Sequence, residues 1–216
     1  MQECNNQASK MIGNVDPIKL LVSAYQNVKS YGSSTAIICT LQQNQIAICN
    51  LGDSGFMHIK FQNNIPYILQ QSEQQQHDFN VPYQLARVPS KLPNRNKFNS
   101  NEFNTSSAFC MDSPEDADYF ILAAITQGDL LILASDGVLD NLYGYEILQI
   151  IQNHCECLNK INPKELANEI GMEAYRKSKV LSDISTPFND RLEKCSHIIY
   201  DGGKEDDICV IVALLT

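Results

Sequence analysis

The spacing of apolar residues changes along the chain and predicts a helix followed by several strands. Between residues 17 and 30, apolar side chains recur every three or four positions, which is typical of an amphipathic helix. Asp16 precedes Pro17, as expected for an N-cap followed by the first helical residue. From residue 35, short apolar and β-branched runs predict strands at 35–41, 45–51, 55–61 and 66–69. Their short connections predict an antiparallel meander.

The second half of the chain predicts further strands and a pair of helices. Residues 70–118 contain four prolines and no regular period, so they predict a long connection or a surface flap. The pattern then predicts a hairpin formed by strands at 119–125 and 130–135. It next predicts two helices, at 143–158 and 163–178, that cover one face of a sheet. A continuous apolar run predicts a final strand at 207–215. Strands and helices occur in separate runs, which indicates an α+β fold with antiparallel sheets.

Length and charge narrow the classes of function. The 216 residues suffice for a single domain, 1–216, whose polar residues 1–15 we expect to be poorly ordered. A net charge of −9 argues against a nucleic-acid partner and favours cations, and no apolar run is long enough for a membrane segment. The opening lacks the apolar stretch of a signal peptide, so we expect an intracellular protein, cytoplasmic or mitochondrial, whose eight cysteines are mostly buried. The oligomeric state is left open.

Acidic residues stand at the ends of apolar strands. Asp136 follows the run 130–135, Asp53 follows the run 46–52, and Asp206 precedes the last strand. If the strands beside Asp136 and Asp206 are antiparallel neighbours, these two carboxylates converge at one end of the sheet. No Lys or Arg directly adjoins either residue, so a hard divalent cation is the natural partner, and oxygen ligands suit Mg²⁺ or Mn²⁺.

Other readings of the polar residues remain open. Each acidic residue is also a common turn residue, since Asp136 precedes a glycine and Asp53 lies in a Gly-Asp-Ser-Gly sequence. We interpret the segment 154–157 (His-Cys-Glu-Cys) as a helix surface, because no second ligand pair follows at a zinc-site spacing. We interpret the segments 32–34 and 202–204 as turns, the second of which positions Asp206. His77 and His197 could serve as proton donors, but lone histidines in polar stretches are usually exposed.

Four segments occur in the order of the motifs of a known family. They are Gly-Ser-Ser-Thr-Ala at 32–36, Asn-Leu-Gly-Asp-Ser-Gly at 50–55, Ala-Ser-Asp-Gly-Val-Leu-Asp-Asn at 134–141 and Gly-Gly-Lys-Glu-Asp-Asp-Ile at 202–208. The sequence from about residue 16 onwards resembles the PPM-type (type 2C) metal-dependent serine/threonine protein phosphatases. Segments 72–85 and 186–188 further resemble the subgroup of the T-cell-activation phosphatase and its yeast mitochondrial relative.

The resemblance implies a fold and a set of site residues. It implies an antiparallel β-sandwich flanked by helices, with a binuclear Mn²⁺ or Mg²⁺ centre at one end. Asp136 and Asp206 match metal ligands of the family, and Asp53 and Asp140 match acidic residues associated with a more weakly held additional metal. Asp207 would support its neighbour or form a turn.

One part of the family pattern is not found in this sequence. Family members carry an early Asp-Gly whose aspartate bridges both metals, whereas residues 1–30 contain only Glu3 and Asp16 as acids, and Gly13 does not follow an aspartate. We therefore expect an N-terminally incomplete domain that lacks the family's first strands. The resemblance implies hydrolysis of phosphoserine and phosphothreonine in protein substrates by metal-activated water. The alternative is an inactive pseudophosphatase, or a fragment, that binds phosphoproteins or partner subunits.

Overall fold

The computed structural model describes residues 2–8, 15–42, 45–88, 112–158 and 160–216. Its helices are α1 (Gln2–Ala8), α2 (Pro17–Asn27), α3 (Asp136–Leu139), α4 (Gly144–Leu158), α5 (Pro163–Ser178) and α6 (Pro187–Ser196). Its strands are β1 (Gly32–Ser34), β2 (Ala36–Gln42), β3 (Gln45–Leu51), β4 (Gly55–Gln62), β5 (Ile65–Gln71), β6 (Gln76–Asp78), β7 (Val81–Pro82), β8 (Leu85–Arg87), β9 (Asp118–Leu122), β10 (Leu130–Ala134) and β11 (Val210–Leu214).

The helix starts predicted from the sequence are found. Asp16 Oδ1 accepts hydrogen bonds from the backbone N–H groups of Ile18, at 2.9 Å, and Lys19, at 3.3 Å, and so caps α2. Asn162 caps α5 in the same way. Helix α2 ends at Asn27, three residues earlier than predicted.

Two antiparallel sheets form the centre of the fold. One has the strand order β11-β10-β4-β5 and the other has the order β2-β3-β9. Residues of both sheets, including Ile48 on β3, Phe56 on β4 and Leu131 on β10, share one buried cluster, so the sheets stack as a sandwich. The predicted α+β class with antiparallel sheets and flanking helices is confirmed.

The connectivity of the strands differs from the predicted meander. Strands β2 and β3 form one hairpin and β4 and β5 another, but β3 and β4 lie in different sheets. Strands β9 and β10 also lie in different sheets, so the predicted hairpin of 119–125 with 130–135 is wrong. Strand β3 is buried on both faces from Ile46 to Leu51. A strand that is buried on both faces needs a covering layer on each side, and the four-stranded sheet and a helix provide these two layers.

Helices cover the outer faces of the sandwich. Helices α4 and α5 pack on the four-stranded sheet, where Ile147, Ile151 and Ile170 are fully buried with Ile59 and Ile132. Helix α2 packs on the other sheet. The predicted covering of one sheet face by the helices at 143–158 and 163–178 is confirmed.

Some elements were not predicted from the sequence. Helix α1 lies in the segment 1–15, and α6 follows Thr186, whose side chain accepts a hydrogen bond from Asn189 N. The segment 70–118 contributes short strands and one turn of 3-10 helix, Pro114–Asp116, in its described part, and 89–111 lie outside the described residues. None of the described helices is long and apolar enough to cross a membrane.

The cysteines are less buried than the sequence suggested. Of the described cysteines, Cys49 is buried, Cys4, Cys39 and Cys155 are partly exposed, and Cys195 and Cys209 are exposed. The expectation of mostly buried cysteines is therefore wrong for this part of the chain, because Cys195 and Cys209 are exposed near element ends and Cys39 and Cys155 pack only partly against the core. Burial raises the pKa of the Cys49 thiol to about 12.

Candidate metal centre

The pairing of β10 with β11 brings two of the predicted acids to one end of the sandwich. The strands are antiparallel, with Ala134 opposite Val210, and Ser135 N donates to Cys209 O at 3.0 Å. Asp136 directly follows β10, and Asp206 lies four residues before β11. The predicted convergence of these two residues is found.

Asp53 lies on the crossing from β3 to β4 and reaches the same end. Gly52, directly before it, has a φ of +104°, and a Cβ there would lie 2.5 Å from Thr35 Cγ2 and 2.7 Å from Tyr83 O. Only glycine fits such a backbone without displacing its neighbours. Gly55, at the start of β4, pairs with Ala134, so this crossing ends beside Asp136. Asp53 is only 6% exposed.

Asp140 lies one turn after Asp136. Its backbone N–H donates to Asp136 O at 2.7 Å, which closes the short helix α3. Its carboxylate is buried, accepts a hydrogen bond from Gln74 Nε2 at 3.2 Å and forms an ion pair with Arg191. Asp140 is therefore already held by protein donors from two other segments of the chain.

A lysine that the sequence analysis treated only as a turn residue lies between these acids. Lys204 Nζ is 2.6 Å from Asp140 Oδ2, 3.2 Å from Asp136 Oδ2 and 3.3 Å from Asp206 Oδ2. Although no Lys or Arg is adjacent to Asp136 or Asp206 in sequence, the fold gives both carboxylates a cationic neighbour. Lys204 is two positions from Asp206 but 68 from Asp136, so inspection of adjacent residues could not find the contact with Asp136.

Asn141 holds Lys204 in this place. Its side-chain Nδ2 donates to Lys204 O at 2.8 Å and to Gly137 O at 2.9 Å, and its Oδ1 accepts from Lys204 N at 3.0 Å. Asn141 is fully buried. It thus fixes the loop of Lys204 to the segment of Asp136 and is a positioning residue that the sequence analysis did not single out.

The carboxylates are crowded and only partly neutralised. Burial, together with the charge of Asp136, raises the pKa of Asp53 to about 6. Burial also raises the pKa of Asp136, although Lys204 opposes this effect. For Asp206, burial is outweighed by the Asp207 N–H and by Lys204, and its pKa is lowered. Burial by itself would lower the pKa of Lys204. The carboxylates of Asp140 and Asp136 outweigh burial, so the pKa of Lys204 is raised.

The carboxylate oxygens of this cluster suit a hard divalent cation. In this structure, three of the carboxylates contact the ammonium group of Lys204 instead. The four predicted carboxylates face two cationic side chains, Lys204 and Arg191, so two negative charges are left over when all are ionised. Oxygen donors with excess negative charge are what Mg²⁺ and Mn²⁺ require. Among the described residues, no three His, Cys, Asp or Glu side chains are already arranged around a common point for an ion.

The remaining candidates are engaged elsewhere. His154 is buried rather than on the helix surface. Its Nδ1 lies 3.0 Å from Glu169 Oε1, and its Nε2 accepts a hydrogen bond from Asn162 N at 3.1 Å. The side chains of 156–158 lie outside the described residues. His77 pairs with Asp112 at 2.8 Å and stacks on Tyr83, and His197 caps the end of α6.

Comparisons with known proteins give relatives by sequence and neighbours by fold. No protein-family model matches the sequence. The chain is 33% identical over 201 residues to a probable protein phosphatase 2C 55 of Arabidopsis thaliana, covering 93% of this chain and 37% of that protein. It is 31% identical over 218 residues to the protein phosphatase PTC7 homolog fig of Drosophila ananassae, covering 97% of this chain and 60% of the relative. The chain thus spans less than two thirds of the length of these relatives.

Solved structures show the same fold. The photosystem II phosphatase PBCP superposes with a TM-score of 0.73 at 24% identity, over 93% of this chain and 71% of that one. The catalytic domain of the serine/threonine phosphatase PstP, in complex with two manganese ions, superposes with a TM-score of 0.52 at 12% identity, over 98% of this chain and 78% of that one.

The chain is similar in sequence to proteins named as type 2C protein phosphatases, and it shares the fold of solved phosphatase structures. Its sequence similarity extends to the PTC7 homologues of Drosophila.

Proposed function

We propose that this polypeptide hydrolyses phosphoserine and phosphothreonine in proteins at the carboxylate cluster of Asp53, Asp136, Asp140 and Asp206. The similarity to proteins named as phosphatases supports the reaction class. One observation supports the place: strand ends that are distant in sequence bring these carboxylates to one end of the sandwich.

Asp136 and Asp206 are proposed to hold Mn²⁺ or Mg²⁺, with Asp53 and Asp140 as acids of a weaker additional site. Asp136 Oδ1 accepts from Gly137 N at 2.9 Å and Asp206 Oδ1 accepts from Asp207 N at 2.8 Å, so each carboxylate is oriented by a backbone N–H. A bound divalent ion would supply a water of lowered pKa and neutralise charge on the phosphoryl group. Burial, together with the charge of Asp136, raises the pKa of Asp53 to about 6, and such an ion would relieve the part due to the neighbouring negative charge.

A second candidate function is binding of phosphoproteins without hydrolysis. It is favoured by the position of Lys204, whose ammonium group lies where three carboxylates meet. An ammonium group in this place neutralises only part of the cluster's negative charge and supplies no activated water. Both candidates involve a phosphoprotein partner. The intracellular location, cytoplasmic or mitochondrial, stays a prediction from the sequence.

The test is hydrolysis of a phosphothreonine peptide by the 216-residue chain, with Mn²⁺ or with chelator. We expect activity that requires metal and that Asp136→Asn abolishes, because the substitution removes a charge from the ligand set. Asp207→Asn is the matched control, since Asp207 is exposed and only its backbone contacts Ser135. A folded chain without metal-dependent activity would favour the binding function. Undiminished activity of Asp136→Asn would place the site elsewhere.

A further inference from the structure

Four side-chain oxygen atoms lie within hydrogen-bonding distance of Lys204 Nζ, which has only three protons to donate. Besides the three carboxylates, Asn80 Oδ1 lies 3.1 Å from Nζ. The ring of Phe188 lies below the group, with its centroid 5.2 Å from Nζ. The side chain is 16% exposed. An ammonium group taken this far out of water is stable only where several negative groups compensate its lost hydration.

The backbone places this lysine independently of its charge. Asn141 binds both the N–H and the C=O of Lys204. Gly203, just before it, donates its N–H to Val180 O at 2.8 Å. These contacts would remain if the side chain lost its charge, so Lys204 does not reach the cluster merely by attraction. Its neighbour Lys179 is a contrast, since it pairs with the single exposed Glu205.

We propose that Lys204 is an internal counter-ion that holds Asp136, Asp140 and Asp206 together in the metal-free protein, and that a divalent ion must displace its ammonium group to bind. The inference rests on the proposed function, because it concerns the same metal centre. A divalent ion and an ammonium group cannot both lie within contact distance of the same carboxylate oxygens without strong repulsion. Metal affinity is therefore set in part by how tightly the lysine is held.

The first test is titration calorimetry of chelator-treated protein with MnCl₂. Lys204→Met keeps the length of the side chain but removes the positive charge from the cluster. We expect Mn²⁺ to bind Lys204→Met about tenfold more tightly or better than it binds the wild type, because one opposing charge is gone. Lys179→Met removes the same charge from the nearby surface and should leave the affinity unchanged. Equal or weaker binding by Lys204→Met would overturn the inference.

The second test needs no variant and therefore does not depend on the folding of Lys204→Met. Wild-type protein is treated with an amine-acetylating reagent, with and without saturating Mn²⁺, and acetylation of Lys204 is measured by mass spectrometry relative to Lys179. We expect Mn²⁺ to increase the labelling of Lys204 several-fold, because its ammonium group leaves the carboxylates. Unchanged labelling in protein that binds Mn²⁺ would overturn the inference alone. Absence of Mn²⁺ binding by the wild type and both variants would overturn the proposed metal centre as well.

Discussion

The crowding around Asp53 predicts that this residue destabilises the metal-free fold at neutral pH. Its pKa is raised from 3.8 to about 6, mainly by burial and then by Asp136. The folded chain thus binds this proton more tightly than the unfolded chain does. The associated stability is fully present below about pH 4 and is lost as the pH rises through about 6. At about 1.4 kcal/mol for each pH unit, the loss reaches about 3 kcal/mol at most.

Asp53→Asn removes this effect with little change in shape. We expect its free energy of unfolding to exceed that of the wild type by about 1 to 3 kcal/mol near pH 7.5, and to be close to it near pH 4, where Asp53 is protonated. Urea denaturation followed by circular dichroism, in the presence of chelator, measures both values.

An exposed aspartate provides the control. Asp118→Asn makes the same change of charge on β9, where the side chain is exposed. It therefore reports the general effect of removing one negative charge from a chain whose net charge is −9. A gain for Asp53→Asn no larger than for Asp118→Asn, or a gain that does not change with pH, would refute burial and charge crowding as the cause.

Two further predictions concern the support of the site. Gly203→Ala should lower the melting temperature and weaken Mn²⁺ binding, because its Cβ would lie 2.0 Å from Lys177 O and the loop that leads to the proposed ligand Asp206 must move; an unchanged melting curve would contradict this. Ile170→Ala should lower the free energy of unfolding by about 2 to 5 kcal/mol, measured with urea, because it leaves a cavity between α5 and the sheet. Met172→Ala on the exposed side of the same helix should change it by less than about 1 kcal/mol, and equal effects would count against the packing described.

Local patterns predicted most of the elements and singled out three acids of the candidate site, Asp53, Asp136 and Asp206. Helix α5 was predicted with its observed bounds, because Asn162 and Pro163 mark its start and the apolar period continues to its end. The convergence of Asp136 and Asp206 was predictable because it needs only the polarity of two antiparallel strands. That these residues bind metal stays a prediction.

The rest depends on contacts that are distant in sequence. Neither the crossing from β3 to β4 nor the contact of Lys204 with Asp136 follows from any local period. Helix α6 was missed although Thr186 and Pro187 form a start signal, because its mostly polar residues give only a weak apolar period. The turn interpretation of 202–204 could not include the contacts of Lys204 Nζ with Asp136 and Asp140, because those residues are distant in sequence and meet it only in the fold.

The central position of β10 has a consequence for the order of folding. This strand pairs Leu130 with Ile59 on one side and with Leu214 on the other, so its sheet requires long loops to close on both sides. Loop closure over such distances is entropically unfavourable and slow compared with hairpin formation. Asp53, Asp136 and Asp206 are brought together only by these long-range pairings, so an unfolded chain offers an ion no comparable site. Ion binding would therefore raise the free energy of unfolding. At ion concentrations above the dissociation constant, this added stability grows with the logarithm of the free ion concentration.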